Sequence, residues 1–227
     1  CNYGVVPVEN SSEGVISHTL DNFLSSSLQI CGEVELRVHH HLMIAQDTDE
    51  TRIERIYSHQ QTLGQCRGWL DSHYPDTPNI TTTSNAEAAR KLLEEKGAAA
   101  IAGEIAAEIY GLRILSKKIE DQSDNTTRFL VVGRDDVGVS GSDKTSIMVS
   151  THNQPGALFK LLEPFDRHDV SLTSIETRPS KTGMWSYVFF IDFEGHREDQ
   201  VVKTVLDEID KDALEVKMLG SYPRTLS

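Results

Sequence analysis

The order of apolar segments along this chain is the feature that most constrains its fold. Short runs of aliphatic residues alternate with segments whose apolar residues recur at helical spacing, and polar turns separate the two kinds. Such alternation predicts an α/β protein, in which the loops that follow the strands lie at a sheet edge where ligands bind. At 227 residues, 38% of them hydrophobic, the chain is long enough for two domains with ordinary cores.

The last third of the chain has a pattern of its own. A polar stretch at 135–143 with little to bury is interpreted as a linker. Beyond it, the spacing predicts the order strand, helix, strand, strand, helix, strand. In the fourth of these elements, apolar side chains occupy alternate positions: Trp185, Tyr187, Phe189, Ile191 and Phe193. This βαββαβ order is that of the ferredoxin-like unit, so we predict domains at 1–134 and 144–227.

A period of two also marks residues 30–44. Val34, Leu36 and Leu42 alternate there with charged residues and histidines, which predicts one long half-buried strand with these apolar residues inside. His39 and His41 would share a face of that strand. A third metal ligand is not apparent in the sequence, and a polar strand face explains the two histidines without a metal.

Composition narrows the classes of partner. With 35 acidic and 22 basic residues, the formal net charge of -13 disfavours nucleic acid, and an anionic ligand would need a local group of cationic and N–H donors. No apolar run approaches the ~20 residues of a membrane span and no secretory signal is present, so we expect a cytoplasmic protein without a membrane partner. The three separated cysteines, Cys1, Cys31 and Cys66, are expected to be reduced thiols.

Polar loops after the predicted strands mark candidate binding sites. The segment 125–129 places the hydroxyl of Thr127 and the guanidinium of Arg128 before a buried strand, where an arginine could clamp a carboxylate while a hydroxyl assists a leaving oxygen. Four further loops lead into predicted helices: Glu9-Asn10-Ser11, His59-Gln60-Gln61, Thr83-Ser84-Asn85 and Gly103-Glu104. Each of them could be an ordinary cap or turn, but several facing one cleft would bind an anion.

In the second domain, the loop 153–156 joins the first strand to the first helix. Its last residue, Gly156, would allow a ligand to approach the backbone closely. The same sequence is also typical of a helix start that binds nothing.

Six segments follow one another in a specific order: 4–11 (GVVPVENS), 58–61 (SHQQ), 106–112 (AAEIYGL), 125–129 (NTTRF), 156–158 (GAL) and 176–179 (ETRP). Together they resemble the prephenate dehydratase family of phenylalanine biosynthesis with a C-terminal ACT domain. The resemblance implies a two-lobed catalytic domain similar to periplasmic binding proteins, followed by a regulatory ACT domain. In that family the catalytic domain begins upstream of the residue numbered 1 here, which implies that part of the first lobe lies outside this sequence.

The resemblance also implies an activity, the decarboxylating dehydration of prephenate to phenylpyruvate, with neither metal nor organic cofactor. L-phenylalanine would inhibit it by binding the ACT domain at the interface of a homodimer, which could pair into a tetramer. The alternative is that the chain as given is catalytically inactive and serves only as a phenylalanine-binding, dimerising module.

Site residues carry over from the family's motifs to matching positions. The resemblance gives three groups: catalytic Thr127 and Arg128; substrate-binding Glu9, Asn10, Ser11, Gln61, Ser84 and Phe129; and effector-binding Asn153, Gly156, Ala157, Leu158, Glu176, Thr177, Arg178 and Pro179. Thr127 would assist the leaving hydroxyl and Arg128 would bind a substrate carboxylate.

Overall fold

The computed structural model describes residues 2–12, 14–151, 154–179 and 187–225. The strands within these ranges are β1 (Gly4–Asn10), β2 (Gly14–Val15), β3 (Gln29–Arg37), β4 (His41–Ile44), β5 (Arg55–His59), β6 (Asn79–Thr82), β7 (Ala98–Ala102), β8 (Arg113–Ser116), β9 (Thr126–Gly133), β10 (Asp143–Ser150), β11 (Leu172–Pro179), β12 (Tyr187–Glu194) and β13 (Glu215–Pro223). The helices are α1 (Ser17–Phe23), α2 (Gln60–Gln65), α3 (Arg67–His73), α4 (Asn85–Lys91), α5 (Glu104–Tyr110), α6 (Ala157–Arg167) and α7 (Gln200–Asp212). None of the helices in the described ranges is long and apolar enough to cross a membrane.

The chain divides into two compact units. Unit 1 comprises Cys1–Leu36 and Thr127–Ser227, and unit 2 comprises Arg37–Thr126. Unit 1 contains two four-stranded sheets, with the strand orders β2-β1-β9-β3 and β11-β12-β10-β13. We call the first the N-terminal sheet and the second the C-terminal sheet.

The C-terminal sheet has the predicted βαββαβ order, with β10, α6, β11, β12, α7 and β13 following one another. Its alternating residues separate cleanly into two cores. Ile147, Phe189, Ile191 and Phe193 pack among residues of α6 and α7. Trp185 lies outside the described residues, and Tyr187, at the start of β12, is 44% exposed.

The opposite face of the C-terminal sheet packs on the N-terminal sheet. Met148, Val188 and Phe190 share one core with Leu130 and Val132 of β9. Odd-numbered residues of β10 and β12 therefore pack against the helices and even-numbered ones against the N-terminal sheet, as the period of two requires. This shared core makes the two sheets of unit 1 a single packed structure.

Gly220 permits the closest approach within unit 1. A β-carbon added at this position would lie 2.2 Å from the carbonyl oxygen of Ile30, and the φ angle of Gly220 is +151°. Side chains other than hydrogen cannot be accommodated at that separation. The contact between β13 and β3 therefore depends on glycine.

Unit 2 contains a five-stranded sheet with the order β6-β5-β7-β4-β8. β5 runs parallel to both β6 and β7, whereas β4 is antiparallel to β7. A helix follows each of the three parallel strands, so three helices begin at the same edge of the sheet. This is the α/β arrangement that the sequence predicts.

The prediction of one long strand at 30–44 is wrong. Two strands, β3 and β4, occupy this region and belong to different sheets. Along β3, Ile30 and Glu33 are both buried, with exposures of 3% and 9%, whereas Val34 is 48% exposed. Periodicity alone did not predict which residues are covered, because Glu33 is buried with cationic partners.

Candidate active site

The hydroxyl of Thr127 lies beside the amide of Asn10. Asn10 pairs with Thr127 where β1 runs antiparallel to β9, and a bulge between Pro7 and Glu9 precedes this pair. Asn10 Nδ2 donates a hydrogen bond of 2.8 Å to Thr127 Oγ1, and the backbone N–H of Ser12 donates to Asn10 Oδ1 at 3.0 Å. Because the amide is the donor, the hydroxyl proton of Thr127 is not used in this bond.

Burial adds to the effect of this hydrogen bond. Thr127 is 9% exposed, and a hydrogen bond strengthens where water is excluded. An amide that donates to the Thr127 oxygen also polarises its O–H group, which makes the hydroxyl a better donor to a further acceptor. The pair is thus suited to donate a hydrogen bond to an oxygen that gains negative charge.

The structure gives Arg128 a role different from the predicted carboxylate clamp. As the next residue on β9, its side chain lies on the opposite face of the sheet from Thr127. Its Nε donates to Glu33 at 2.8 Å, and its Nη2 donates to Asp192 at 2.7 Å and to the Tyr222 hydroxyl at 3.3 Å. The guanidinium joins the two sheets of unit 1 instead of facing the Asn10–Thr127 pair.

Charge balance holds this ionic cluster together. Lys144 contacts Glu33 at 2.8 Å, and the Glu33 side chain is only 2% exposed. Burial alone would raise the pKa of Glu33, but the hydrogen bond from Lys144 and the charges of Arg128 and Lys144 outweigh burial and lower it. Burial, followed by the charge of Asp192, raises the pKa of Tyr222, so the phenol stays protonated.

Three helix N-termini meet the parallel strands of unit 2. His59, Ser84 and Gly103 are the residues before α2, α4 and α5, at or just after the ends of β5, β6 and β7. Free backbone N–H groups at such ends attract carboxylates. Gln61 lies in the first turn of α2, where its exposed side chain is available to a ligand.

Ser84 and Glu87 form a variant of the capping box at the start of α4. Ser84 Oγ accepts from the Glu87 backbone N–H at 3.1 Å, as an N-cap does. The Glu87 carboxylate accepts from the backbone N–H and hydroxyl of Thr83 instead of the N–H of Ser84. Ser84 therefore has a structural duty at α4 in addition to any contact with a ligand.

The loop that leads into α6 requires glycine. Gly156 has a φ of +80° and precedes α6, and a β-carbon there would meet no atom within 4 Å. Open space beside a positive φ is compatible with close approach of a ligand. Ala157 begins the helix and Leu158 is 42% exposed, whereas Asn153 lies outside the described residues.

The two faces of β11 differ in chemistry. Glu176 and Arg178 pair with Phe190 and Val188 of β12, and their side chains share the face that packs on the N-terminal sheet. Thr177 and Pro179 lie on the other face and are exposed. The four predicted effector residues of β11 therefore lie on two different faces of the sheet.

Comparison with known proteins places these features in a family. Residues 1–137 match the family model described as prephenate dehydratase, and residues 145–211 match the ACT domain model. The chain belongs to the prephenate dehydratase family. The predicted family, the α/β class and the C-terminal ACT unit are thereby confirmed.

Relatives and solved structures agree with this placement. A bifunctional chorismate mutase/prephenate dehydratase of Pseudomonas aeruginosa is 55% identical over 225 residues, which are 99% of this chain and 62% of that protein. The structure of a prephenate dehydratase from Arthrobacter aurescens in complex with L-Phe aligns with a TM-score of 0.89 at 35% identity, over 99% of this chain and 76% of the other. The chain thus spans less than two thirds of the bifunctional relative.

The same fold also occurs in a protein described by a different reaction. A structure described as GqqA, a novel type of quorum quenching acylase, aligns with a TM-score of 0.88 at 28% identity, over 99% of this chain and 82% of that one. Fold alone therefore does not fix the reaction, and the functional argument has to come from side chains.

Among the residues carried over from the family, Asn10 and Thr127 are in direct contact. Phe129 lies two residues further along β9, on the face of Thr127, and Ser11 follows β1 in the adjoining turn. Gln61 and Ser84 lie near helix starts in unit 2. Glu9 pairs with Arg128 across β1 and β9 and lines a cavity together with Glu176.

Asn85 organises the loops of unit 2, a role that the sequence did not predict although Asn85 belongs to one of the candidate binding loops. Its Oδ1 accepts from the Ser58 hydroxyl at 2.9 Å and from the His59 backbone N–H at 3.1 Å. Its Nδ2 donates to the Thr62 hydroxyl at 2.9 Å. One sequence signal could have indicated this role. Asn85 is a polar residue at the first position of α4, directly after the capping residue Ser84, so its side chain is available to bind neighbouring loops.

Proposed function

We propose that the protein containing this chain catalyses the decarboxylating dehydration of prephenate to phenylpyruvate. Membership of the prephenate dehydratase family supports the reaction class. The observation that carries the proposal is the buried hydrogen bond of 2.8 Å from Asn10 Nδ2 to Thr127 Oγ1. It leaves the hydroxyl proton of Thr127 for the departing oxygen of the substrate.

The reaction itself explains why one activated hydroxyl is useful. The bond between the ring and its carboxylate breaks, carbon dioxide leaves, and the electron pair enters the ring as the carbon–oxygen bond to the ring hydroxyl breaks. The departing hydroxide takes up a proton from solvent to become water, and aromatisation supplies the driving force. Thr127 stabilises the negative charge on this oxygen by donating a hydrogen bond in the transition state.

Other groups beside the pair complete the proposed site on unit 1. Ser11 follows β1 and Phe129 lies on the Thr127 face of β9, so both flank the Asn10–Thr127 pair. Arg128 has no contact with substrate in this proposal, because its guanidinium binds Glu33 and Asp192. Its role is to hold β9, and with it Thr127, against the C-terminal sheet.

The test is a set of hydroxyl variants in the complete protein that contains this chain. Thr127→Val removes the hydroxyl with little change in shape, and we expect kcat to fall by roughly a hundredfold or more with the fold intact. Thr127→Ser keeps the hydroxyl and should retain most of the activity. Thr126→Val is the matched control, since the Thr126 hydroxyl donates to the Asp124 carbonyl at 3.2 Å.

The outcomes separate the mechanism from a packing effect. A Thr127→Val protein with near-normal turnover removes the hydroxyl from the reaction. Equal losses in Thr126→Val and Thr127→Val point to damage to β9. Circular dichroism and the melting temperature of each variant confirm that the fold is unchanged.

Regulation is the second half of the proposal. L-phenylalanine binds the ACT domain near Gly156, Ala157 and Leu158. Asn153 and the exposed face of β11 with Thr177 and Pro179 complete this effector site. The protein is a homodimer or tetramer located in the cytoplasm. The ACT match and the positive φ of Gly156 support this assignment. The alternative function, a phenylalanine-binding and dimerising module without turnover, is favoured if the unmodified protein binds L-phenylalanine but does not convert prephenate.

A further inference from the structure

Arg178 joins the C-terminal sheet, which belongs to the ACT domain and is called the ACT sheet from here on, to α1. Its Nε donates to Asp21 Oδ1 at 3.0 Å and its Nη1 donates to Ser17 Oγ at 3.0 Å. Both side chains of the ion pair are about three quarters buried, with exposures of 27% and 26%. A cation that binds the carboxylate and hydroxyl of α1 cannot at the same time clamp the carboxylate of an amino acid with those N–H groups.

Helix α1 is in turn attached to β1. Thr19 Oγ1 donates to the Pro7 carbonyl at 2.6 Å, and the Ile16 backbone N–H donates to the Val8 carbonyl at 2.8 Å. These bonds lie immediately before the bulge between Pro7 and Glu9. A shift of α1 therefore acts on the bulge that sets the position of Asn10.

Glu176 approaches the same bulge from the ACT sheet. It lines a cavity of about 30 Å³ together with Glu9, Arg128 and Asp192. Most of its lining is apolar, so these carboxylates and the guanidinium are its charged groups. Burial and then the negative charge of Glu9 raise the pKa of Glu176, so Glu176 responds to a charge at this bulge.

We propose that Arg178 and Asp21 are positioning residues that transmit the state of the ACT domain to the Asn10–Thr127 pair through α1 and β1. Thr177 lies between Glu176 and Arg178 but faces the other side of the sheet, where the effector is placed. A displacement of β11 by the effector then pulls on Asp21 and Ser17. This inference rests on the proposed function, because it requires L-phenylalanine as effector and Thr127 as the responding group.

The test compares Arg178→Met and Asp21→Asn in the complete protein. Asp21 belongs to α1 and not to the ACT domain, so a shared effect of the two variants cannot come from lost effector contacts. We expect both variants to bind L-phenylalanine in calorimetry within about threefold of the parent, while the inhibition at saturation weakens about fivefold or more. The double variant should be no worse than the more severe single variant, because both remove one connection.

Lys203→Met provides the matched control, since Lys203 makes an exposed ion pair with Glu198 on the ACT domain. It should bind L-phenylalanine and be inhibited like the parent. Unchanged inhibition in Arg178→Met and Asp21→Asn overturns the proposal. So does a tenfold or larger loss of affinity confined to Arg178→Met, which would make Arg178 an effector contact.

A second readout separates failure of this inference from failure of the proposed function. Backbone amide hydrogen exchange of residues 4–12 should slow when L-phenylalanine binds the unsubstituted protein. This response should be lost in Asp21→Asn. If the parent fails to convert prephenate, the proposed function is wrong, but the exchange result still decides the coupling. If L-phenylalanine does not change the backbone hydrogen exchange of residues 4–12 in the parent, the proposed coupling is overturned.

Discussion

The two faces of the ACT sheet are built from different kinds of contact. The face toward α6 and α7 packs Phe189, Ile191 and Phe193 among aliphatic residues of the helices. The face toward the N-terminal sheet combines Val188 and Phe190 with an ionic cluster around Arg128. The apolar face of this sheet therefore builds the core of the ACT domain with α6 and α7. The partly charged face determines how the N-terminal sheet packs on it.

The difference matters because the two kinds of contact respond to different conditions. Burial of apolar area stabilises without regard to pH and tolerates small shifts in packing. A buried ion pair adds little net stability over apolar residues of the same volume, but it is strongly destabilising when one partner is removed. The charged face should therefore be the one whose integrity changes with pH and with single charge substitutions.

The largest effect is expected on the apolar face. Phe193 is fully buried, and its ring packs against that of Phe165 with centroids 5.1 Å apart. Phe193→Ala should destabilise the fold by about 3–5 kcal/mol, and by the same amount at pH 5 and pH 7. Urea denaturation measures this loss, with Tyr187→Ala, exposed on the same strand, as the control. A loss that depends on pH would break the comparison.

A somewhat smaller effect is expected on the charged face. Arg128→Met removes the cation between Glu33 and Asp192 and should cost about 3 kcal/mol, because Lys144 still neutralises Glu33. Arg224→Met, which breaks an exposed ion pair with Glu194, should change stability by less than about 1 kcal/mol. If Arg128 bound a substrate carboxylate, Arg128→Met would instead raise KM with stability unchanged.

Much of the ACT domain was predictable because its signals are local. The spacing of apolar residues predicts a helix after the first strand of this domain, and the structure has α6 there at Ala157–Arg167. Alternation along β12 places Phe189, Ile191 and Phe193 in one core, as found. Patterns of period two and period 3.6 arise within a few residues, so no distant partner is needed to interpret them.

The charged face was not predictable from such signals. Glu33 is buried by Arg128 and Lys144, which are 95 and 111 residues away in sequence, so Val34 was wrongly placed inside. Alternation could have separated Thr127 from Arg128, since adjacent residues of a strand face opposite sides. Because residues 125–129 were interpreted as one loop before a strand, Thr127 and Arg128 were expected to face the same ligand.

The smallest effect is the sharpest test of the comparison, because Glu176 on the charged face and Glu33 on the facing N-terminal sheet should titrate in opposite senses. The pKa of Glu33 is lowered from 4.5, so its stabilising contribution is present above that value and is lost as the pH falls through the folded pKa. The pKa of Glu176 is raised from 4.5 by burial and then by Glu9, so its ionisation destabilises the fold as the pH rises above 4.5.

Glutamine substitutions isolate the two contributions. Glu176→Gln should stabilise the protein at pH 7, and this gain should vanish as the pH falls below 4.5. Glu33→Gln should destabilise at pH 7, and its deficit should shrink as the pH falls. Denaturation curves from pH 3 to pH 8 measure both. If the stabilities of the two variants changed with pH in the same way, the two carboxylates would share one environment. The claim that cations lower the pKa of Glu33 while Glu9 raises that of Glu176 would then be wrong.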